Sequence, residues 1–315
     1  MTAARTAAET GGAVDTNNYE WSSPKERRHV EMVVSLYDEV FNKRDVDAVD
    51  KYFTGNFRQH NPLYGAGATG FKGFTREFWL SNFPDLNVNV EVAFAQNDRV
   101  LSFCTWTGTQ AGTGKPLRVL VADIYRFWDG KMAEHWDVME YTELAPFGVV
   151  RPTMWQPSSP IDRGGTPAQQ ENVRRLLKYL EEVPIQDLSL AHKYIAEDFQ
   201  QFDPTVIDEG LEGFKACFAG FRPFAPDLAV APDNIVAGTD YVGAIWNSYG
   251  HYPETGDKFI MPTCDLYRVK DGMFVKHWGL VDYTDIVALL GFNPKKYLKA
   301  QRAQKEADPV VGDTT

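Results

Sequence analysis

Hydrophobic and polar side chains alternate along residues 119–141, which predicts a β-hairpin. Successive side chains of a strand point to opposite faces. Asp129-Gly130 in the middle is typical of a tight two-residue turn, in which both positions need a positive φ. The first strand then carries on one face Val119, Val121, Asp123, Tyr125 and Phe127. The second strand carries on one face Ala133, His135, Asp137, Met139 and Tyr141.

Three ionisable side chains interrupt these apolar rows, namely Asp123, His135 and Asp137. Burying a carboxylate is costly unless it is paired or hydrogen-bonded. The pattern therefore favours a pocket lined by these groups, and we expect all three on one side of the sheet. A satisfied buried network, or a face partly in water, is the alternative that the pattern leaves open.

The same hairpin occurs a second time, at residues 261–282. An offset of 142 residues carries Asp123 to Asp265 and His135 to His277. The same offset relates several segments that precede the two hairpins. A constant offset over so many positions indicates a duplication, so we expect two copies of one fold.

Two domains follow from the duplication, and each half is long enough to bury its own core. Residues 1–24 are small and polar, which predicts a disordered N-terminal segment. The first domain is predicted at 25–150 and the second at 168–297. Between them, 151–167 is a linker rich in proline, glycine and serine, and 298–315 is a polar tail.

Both halves place helical periodicity ahead of a long run of strands, which predicts an α+β fold with three helices on a mostly antiparallel sheet. The strands are also apolar on their other face, for example at Leu120, Ala122 and Ile124. A sheet that is apolar on both faces must be covered on both. We therefore expect the two sheets to pack back to back as an intrachain pseudo-dimer, which is compatible with a monomeric protein.

Composition and charge exclude several classes of partner. The net charge of −11 argues against nucleic acid, whose phosphates require a basic patch. No apolar run of about 18 residues is present, so we expect no membrane span. The N-terminus has no secretory apolar region and the three cysteines form no CxxC pair, which favours a cytoplasmic protein. No HxxxH or HxH spacing accompanies the aspartates, so we expect no metal site.

Two segments of the first half carry a family resemblance, FRQHNPLYGAGATGFKGF at 57–74 and DIYRFWDGKMAEHWDV at 123–138. They resemble the SnoaL-like polyketide cyclases, which belong to the nuclear transport factor 2-like superfamily. The resemblance covers 26–148 and is weaker over 168–292. It implies tandem cone-shaped α+β barrels, each around a pocket, and a cyclase or isomerase that uses no metal or organic cofactor.

The resemblance also implies a set of candidate catalytic residues. The family's acid/base aspartate falls on Asp137 in the motif EHWD, with His135 before it on the same face. Asp123 on the facing strand completes the set, together with His60 and Asn61 in the motif QHNP. The aspartate is expected to take a proton from an activated carbon of a hydrophobic, carbonyl-bearing molecule, and the enolate then closes a ring.

The second half departs from this pattern. Gly279 stands at the position of the acid/base aspartate, and Phe202 replaces the histidine of QHNP. Asp265 and His277 remain there as pocket candidates, and Asp203 supplies a new carboxylate at the position of Asn61, which leaves open a different site in the second half. We therefore expect the chemistry in the first domain, and a smaller second cavity filled by Phe202 if the second domain is only structural.

Two alternative functions stay open. An epoxide hydrolase of the same superfamily would pair an arginine with the pocket aspartates. Arg126 and Arg118 have the opposite strand parity to those aspartates, whereas Arg58 shares parity with His60. The second alternative is a non-catalytic binder of small apolar ligands, which would have no need of a carboxylate at Asp137.

Overall fold

The computed structural model describes residues 18–152, 164–184, 186–202, 208, 210–291, 293, 294 and 296. These residues form two α+β domains, each with one sheet and its own helices. The N-terminal residues 1–17, linker residues 153–163 and the predicted tail lie outside the described residues.

Domain one is built from an amphipathic N-terminal helix, further short helices and a curved sheet. Its helices are α1 (Pro24–Leu36), α2 (Val49–Tyr52), α3 (Gly67–Phe74) and α4 (Tyr141–Leu144). Its strands are β1 (Tyr19–Glu20), β2 (Phe53–Gln59), β3 (Asn87–Gln96), β4 (Arg99–Thr109), β5 (Pro116–Trp128) and β6 (Lys131–Met139). The strands lie in the order β1-β3-β4-β5-β6-β2.

Domain two repeats this plan. Its helices are α5 (Pro167–Glu182), α6 (Gly210–Phe221) and α7 (Thr284–Leu290). Its strands are β7 (Ile195–Gln201), β8 (Ala229–Ala237), β9 (Tyr241–His251), β10 (Lys258–Lys270) and β11 (Met273–Val281). They lie in the order β7-β11-β10-β9-β8.

Local sequence explains the start of helix α1. The Ser23 hydroxyl accepts a hydrogen bond from the backbone N–H of Glu26 at 3.2 Å, and Pro24 occupies the first helical position. The helix then buries Val30, Val33 and Leu36 against β3 and β4. This apolar stripe holds the helix over one face of the sheet.

The duplication is visible in the strand boundaries. Strands β4 and β9 start and end 142 residues apart, and so do β5 and β10, and β6 and β11. Both hairpins place an aspartate at positive φ in the turn, Asp129 at 49° and Asp271 at 50°. The predicted duplication and α+β fold class are confirmed.

The two sheets pack back to back through one shared apolar cluster. Domain one contributes Phe94, Leu101 and Trp136 to it, and domain two contributes Tyr241 and Leu266 among others. The rings of Phe94 and Tyr241 stack with centroids 5.6 Å apart. The predicted intrachain pseudo-dimer is confirmed, because each sheet covers the apolar outer face of the other.

Ordered structure begins earlier than the composition predicts. Tyr19–Glu20 forms β1, which pairs in parallel with β3. The Glu20 carboxylate accepts the backbone N–H of Asp240 in domain two at 2.9 Å. Strand pairing and this cross-domain bond together order a stretch that was predicted to be disordered. None of the helices in the described ranges is long and apolar enough to cross a membrane.

Candidate functional site

The hairpin of domain one brings its two aspartates together. Asp123 on β5 and Asp137 on β6 are direct cross-strand partners, and Tyr125 pairs with His135 in the same way. The prediction from strand parity that these groups share one face is confirmed. All three ionisable side chains are buried, with Asp123 3% and Asp137 1% exposed.

Asp123 and His135 form a tight pair. His135 Nε2 lies 2.8 Å from Asp123 Oδ1, and the other carboxylate oxygen accepts the Tyr37 hydroxyl at 2.6 Å. The Tyr37 hydroxyl is also 3.1 Å from Ser102 Oγ. This carboxylate is therefore satisfied on both sides within the protein.

The hydrogen-bond roles around His135 locate one of its protons. Gln59 Oε1 accepts the backbone N–H of Asn61 at 3.0 Å, which fixes the orientation of the Gln59 amide. The same oxygen lies 3.0 Å from His135 Nδ1, so Nδ1 must donate. The second ring nitrogen, Nε2, makes the contact with Asp123 Oδ1.

Asp137 is held by Asn61. The Asn61 amide donates to both carboxylate oxygens, at 2.9 Å and 3.0 Å, and lies 3.0 Å from the Tyr141 hydroxyl. Burial raises the pKa of Asp137 to about 6, while the neighbouring His135 and the Asn61 bond act in the opposite direction. A carboxyl group with this pKa is suited to acid/base chemistry near neutral pH.

His60 does not join this set. Its ring stacks on Trp136 with centroids 4.4 Å apart, and its Nε2 lies 3.0 Å from Glu134 Oε2. Glu134 and Trp136 point to the opposite side of β6 from His135, because they have the opposite strand parity. The sequence prediction that placed His60 beside the aspartates is therefore wrong in its geometry, whereas Asn61 lies where it was predicted.

Aromatic side chains fill the space in front of the domain-one aspartates. Trp106 lies with its ring centroid 4.6 Å from Phe41 and 4.6 Å from Trp79. All three side chains are at most 2% exposed. Asp137 is itself 1% exposed, so a substrate could reach it only if buried side chains of this domain move.

Domain two contains an open cavity at the corresponding place. Its volume is about 440 Å³, and its wall includes Asp265, Tyr267 and His277 on the sheet side. Asp265 Oδ1 lies 2.7 Å from His277 Nε2, which repeats the acid–imidazole pair of domain one. The side chain of Asp265 is 15% exposed, against 4% for Asp123.

Side-chain size explains why the cavity lies in domain two. The 142-residue offset carries Trp106 to Ser248, which sits at the matching position of β9 and lines the cavity. The same offset carries two phenylalanines of domain one to Ala216 and Gly220, which also line the cavity. Sequence reasoning followed the ionisable groups and missed this exchange of large for small residues, although the offset makes it readable.

The remaining second-domain candidates have mixed outcomes. Phe202 is 48% exposed and stacks on Trp278 with centroids 5.1 Å apart, so the expectation that it fills the cavity is wrong. Asp203 lies outside the described residues. His277 keeps the pairing of its domain-one counterpart, but its Nδ1 atom is buried and has no hydrogen-bond partner within the described ranges.

Among the hydrogen bonds described for Asp123 and Asp137, none comes from an arginine. Arg126 pairs with Glu134 on the far side of β6, as its strand parity predicts. Among the described residues, no lysine or arginine lines the domain-two cavity. The arrangement required of an epoxide hydrolase, with an arginine beside the pocket aspartates, is therefore not supported.

The residues do not favour a metal site. Asp123, His135 and Asp137 offer ligand atoms within 4.8 Å of one another. Each is already engaged, because His135 contacts acceptors through both nitrogens and both Asp137 oxygens accept from Asn61. A cation would have to replace these hydrogen bonds, so the donor set fits a hydrogen-bonded network better.

Two family matches establish what these domains are. The SnoaL-like polyketide cyclase family matches residues 31–146, and the SnoaL-like domain family matches residues 174–277. The chain belongs to the SnoaL-like family. The two matches lie within the two structural domains, so SnoaL-like domains stand in tandem. Membership of this SnoaL-like family supports a cyclase or isomerase type of function in general.

Solved structures similar to this SnoaL-like protein include TsrD from Streptomyces laurentii, at 24% identity and TM-score 0.36, over 38% of this chain and 93% of that chain. A candidate SnoaL-like polyketide cyclase from Jannaschia sp. CCS1 has 25% identity and TM-score 0.37, over 39% and 93%. IdmH from Streptomyces antibioticus, a candidate polyketide cyclase, has 24% identity and TM-score 0.34, over 38% and 97%. No curated protein matches the chain.

Proposed function

We propose that this protein is a cofactor-independent cyclase or isomerase, and that the domain-two cavity takes its substrate. The observation that carries the proposal is a cavity of about 440 Å³ whose largely apolar wall holds the hydrogen-bonded pair of Asp265 and His277. Titratable pairs in a concave apolar pocket are a common signature of acid/base sites.

Asp265 is the group that meets the substrate, because its side chain is more exposed than that of His277, 15% against 7%. Its carboxylate takes a proton from a carbon next to a carbonyl, and the electron pair of the C–H bond moves into the enolate. The enolate then attacks an electrophilic carbon of the same molecule, or is protonated at another carbon. His277 holds the carboxylate in place through the hydrogen bond between its Nε2 and Asp265 Oδ1.

The cavity wall defines the class of substrate. Phe218, Phe221 and Leu228 line the side formed by α6 and the segment after it. Ser248 and Thr263 place hydroxyl groups on the sheet side. Since no cation is among the described lining residues, an anionic group would enter without a partner. The substrate is therefore a neutral, hydrophobic molecule with oxygen substituents along one edge.

The first-domain site predicted from sequence is a second candidate. Its favourable observation is Asp137, whose pKa burial raises to about 6 and which Asn61 holds through both oxygens. Its use would require buried side chains of domain one to move, because Asp137 is 1% exposed. The domain-two cavity needs no such opening, and for that reason we favour it.

The test is proton exchange at an activated carbon. The full-length protein is incubated in D₂O with a panel of neutral β-keto esters, and deuterium incorporation is followed by NMR. We expect exchange by the wild type, loss of exchange in Ser248→Trp, which fills the cavity, and exchange within a few-fold of wild type in Arg174→Met, which changes an exposed residue of α5. Saturable binding without exchange in the wild type would support a non-catalytic binder and would overturn the enzyme proposal.

A further inference from the structure

Helix α7 and the residue before it form one side of the domain-two cavity. Tyr283, Ile286 and Leu290 all line the cavity. The helix spans only Thr284–Leu290, and a helix of this length is not stable by itself. Its position therefore depends on tertiary contacts, namely the apolar packing of Ile286 with Phe259 and Met261 and the polar contacts of its first turn.

One such contact joins α7 to the start of β10. Strand β10 pairs with β11 only from Thr263 onward, so Ile260 has no ladder partner on that side. The Asp285 carboxylate accepts the Ile260 backbone N–H at 2.8 Å, and Arg151 Nη1 donates to the Ile260 carbonyl at 3.0 Å. A residue of the interdomain segment thus completes the edge of a domain-two strand.

The same guanidinium contacts both acids at the start of α7. Arg151 Nη1 lies 3.3 Å from Asp282 Oδ2, and Nη2 contacts the Asp285 carboxylate. Asp282 is fully buried, and desolvation raises its pKa to about 6 although Arg151 acts in the opposite direction. Removing the cation would leave a buried carboxyl group without its charged partner, which is strongly unfavourable.

In domain one, the acid equivalent to Asp282 accepts a backbone hydrogen bond from its own domain. The 142-residue offset carries Glu140 to Asp282. The longer Glu140 side chain reaches the backbone N–H of Leu120 in its own domain at 2.8 Å. The same offset carries Leu120 to Pro262, which has no backbone N–H to donate, and Asp282 instead meets Arg151, which precedes the second domain in the chain.

We propose that Arg151 is a positioning residue of the domain-two cavity: it holds α7 against β10 and thereby sets the wall against which the substrate packs. This inference rests on the proposed function for its link to a substrate. Its structural part, that an interdomain arginine holds the cavity wall, stands separately. The segment after the first domain then supports one wall of the binding site in the second.

The experiment uses the full chain and the variant Arg151→Met, which keeps an unbranched side chain without the charge. We expect the backbone amides of α7 to exchange with D₂O at least about tenfold faster than in the wild type. We also expect weaker binding of the neutral fluorophore N-phenyl-1-naphthylamine. Arg151→Lys should recover only part of both effects, because a lysine cannot contact three acceptors as the guanidinium does.

Arg174→Met serves as the matched control, because Arg174 is exposed on α5 and pairs only with the exposed Glu171 among the contacts described. It should leave α7 exchange and probe affinity unchanged. If Arg151→Met fails to fold, Asp285→Ala removes the other side of the same contact and should give the same local effect. Unchanged α7 exchange in the folded variant would overturn the proposal. Faster α7 exchange in Arg151→Met, together with no deuterium transfer to substrate by the wild type, would support the positioning role of Arg151 and exclude the proposed enzymatic function.

Discussion

Trp106 in β4 and Ser248 in β9 occupy equivalent positions of the two domains, 142 residues apart, and an indole ring in one domain is replaced by a hydroxymethyl group in the other. Trp106 packs between Phe41 and Trp79 and is 2% exposed. Ser248 lines an open space of about 440 Å³. The two domains therefore share a fold and an acid–imidazole pair, and the cavity described here lies in domain two.

Trp106→Ser should open a cavity in domain one and lower the free energy of unfolding. Truncation of a fully buried Trp costs about 3–5 kcal/mol, because packing is lost and a void remains. Denaturant unfolding measures the loss. Ligand binding in domain two should be unaffected, since the substitution lies on the other side of the paired sheets. A loss of less than about 1 kcal/mol would show that Trp106 is not tightly packed.

Asp137 should make stability depend on pH. Burial raises its pKa from 3.8 to about 6, so the folded state holds an extra proton between these values. Stability should then fall as pH rises through this window, by about 3 kcal/mol. Asp137→Asn removes this titration. The free energy of unfolding of the variant, minus that of the wild type, should therefore increase as the pH rises from 4 to 7.

Other carboxyl groups with raised pKa values affect the pH dependence of stability equally in the wild type and in Asp137→Asn. Burial raises the pKa of Glu20 to about 7 and that of Asp282 to about 6, and both are unchanged in the variant. They cancel when the wild-type and Asp137→Asn profiles are subtracted. Parallel profiles over the whole range would show that Asp137 does not titrate in that window.

Cys217 provides a reporter of the cavity. It lines the domain-two chamber and is partly exposed, whereas Cys104 and Cys264 are fully buried. Burial also raises the pKa of the Cys104 and Cys264 thiols well above their usual range, which suppresses their reactivity. N-ethylmaleimide should therefore label Cys217 first in the native protein, as read by peptide mass spectrometry.

Occupancy of the chamber should protect that thiol. N-phenyl-1-naphthylamine in the cavity should slow Cys217 labelling, and Ser248→Trp should abolish the protection. Labelling rates that do not change with probe concentration would place the probe elsewhere.

Much of the fold is readable from the sequence, because its signals are local and periodic. The alternation along 119–141 predicts the hairpin and places Asp123 beside Asp137. The apolar outer rows, such as Leu120, Ala122 and Ile124, predict the packing of one sheet on the other, and those residues lie in the shared cluster.

The parts that were not predicted depend on where side chains meet across elements. His60 and Asn61 are adjacent at the end of β2, and only the turn of the backbone before Pro62 decides which of them faces the aspartates. The chamber requires small residues on α6 and β9 at once, such as Ala216 and Ser248. A sequence motif identifies ionisable residues, but it does not show that small residues on a helix and a strand meet and leave a cavity.

The contribution of Arg151 could not be predicted for a different reason. It lies in a segment whose composition indicates only a linker. Its role follows from its contacts with Asp282 and with the Ile260 carbonyl, beyond the point where β10 stops pairing with β11 at Thr263, and these contacts become visible only in the folded chain.

Substrate chemistry is proposed for domain two, at Asp265. Deuterium exchange on one neutral β-keto ester, compared between Asp265→Asn and Asp137→Asn, tests this placement directly. We expect Asp265→Asn to lose about 10²–10⁴-fold in rate, as for the removal of a general base, and Asp137→Asn to stay within a few-fold of wild type. The reverse result, which the sequence motif alone predicts, would place the active site in domain one and rule out the role of Asp265.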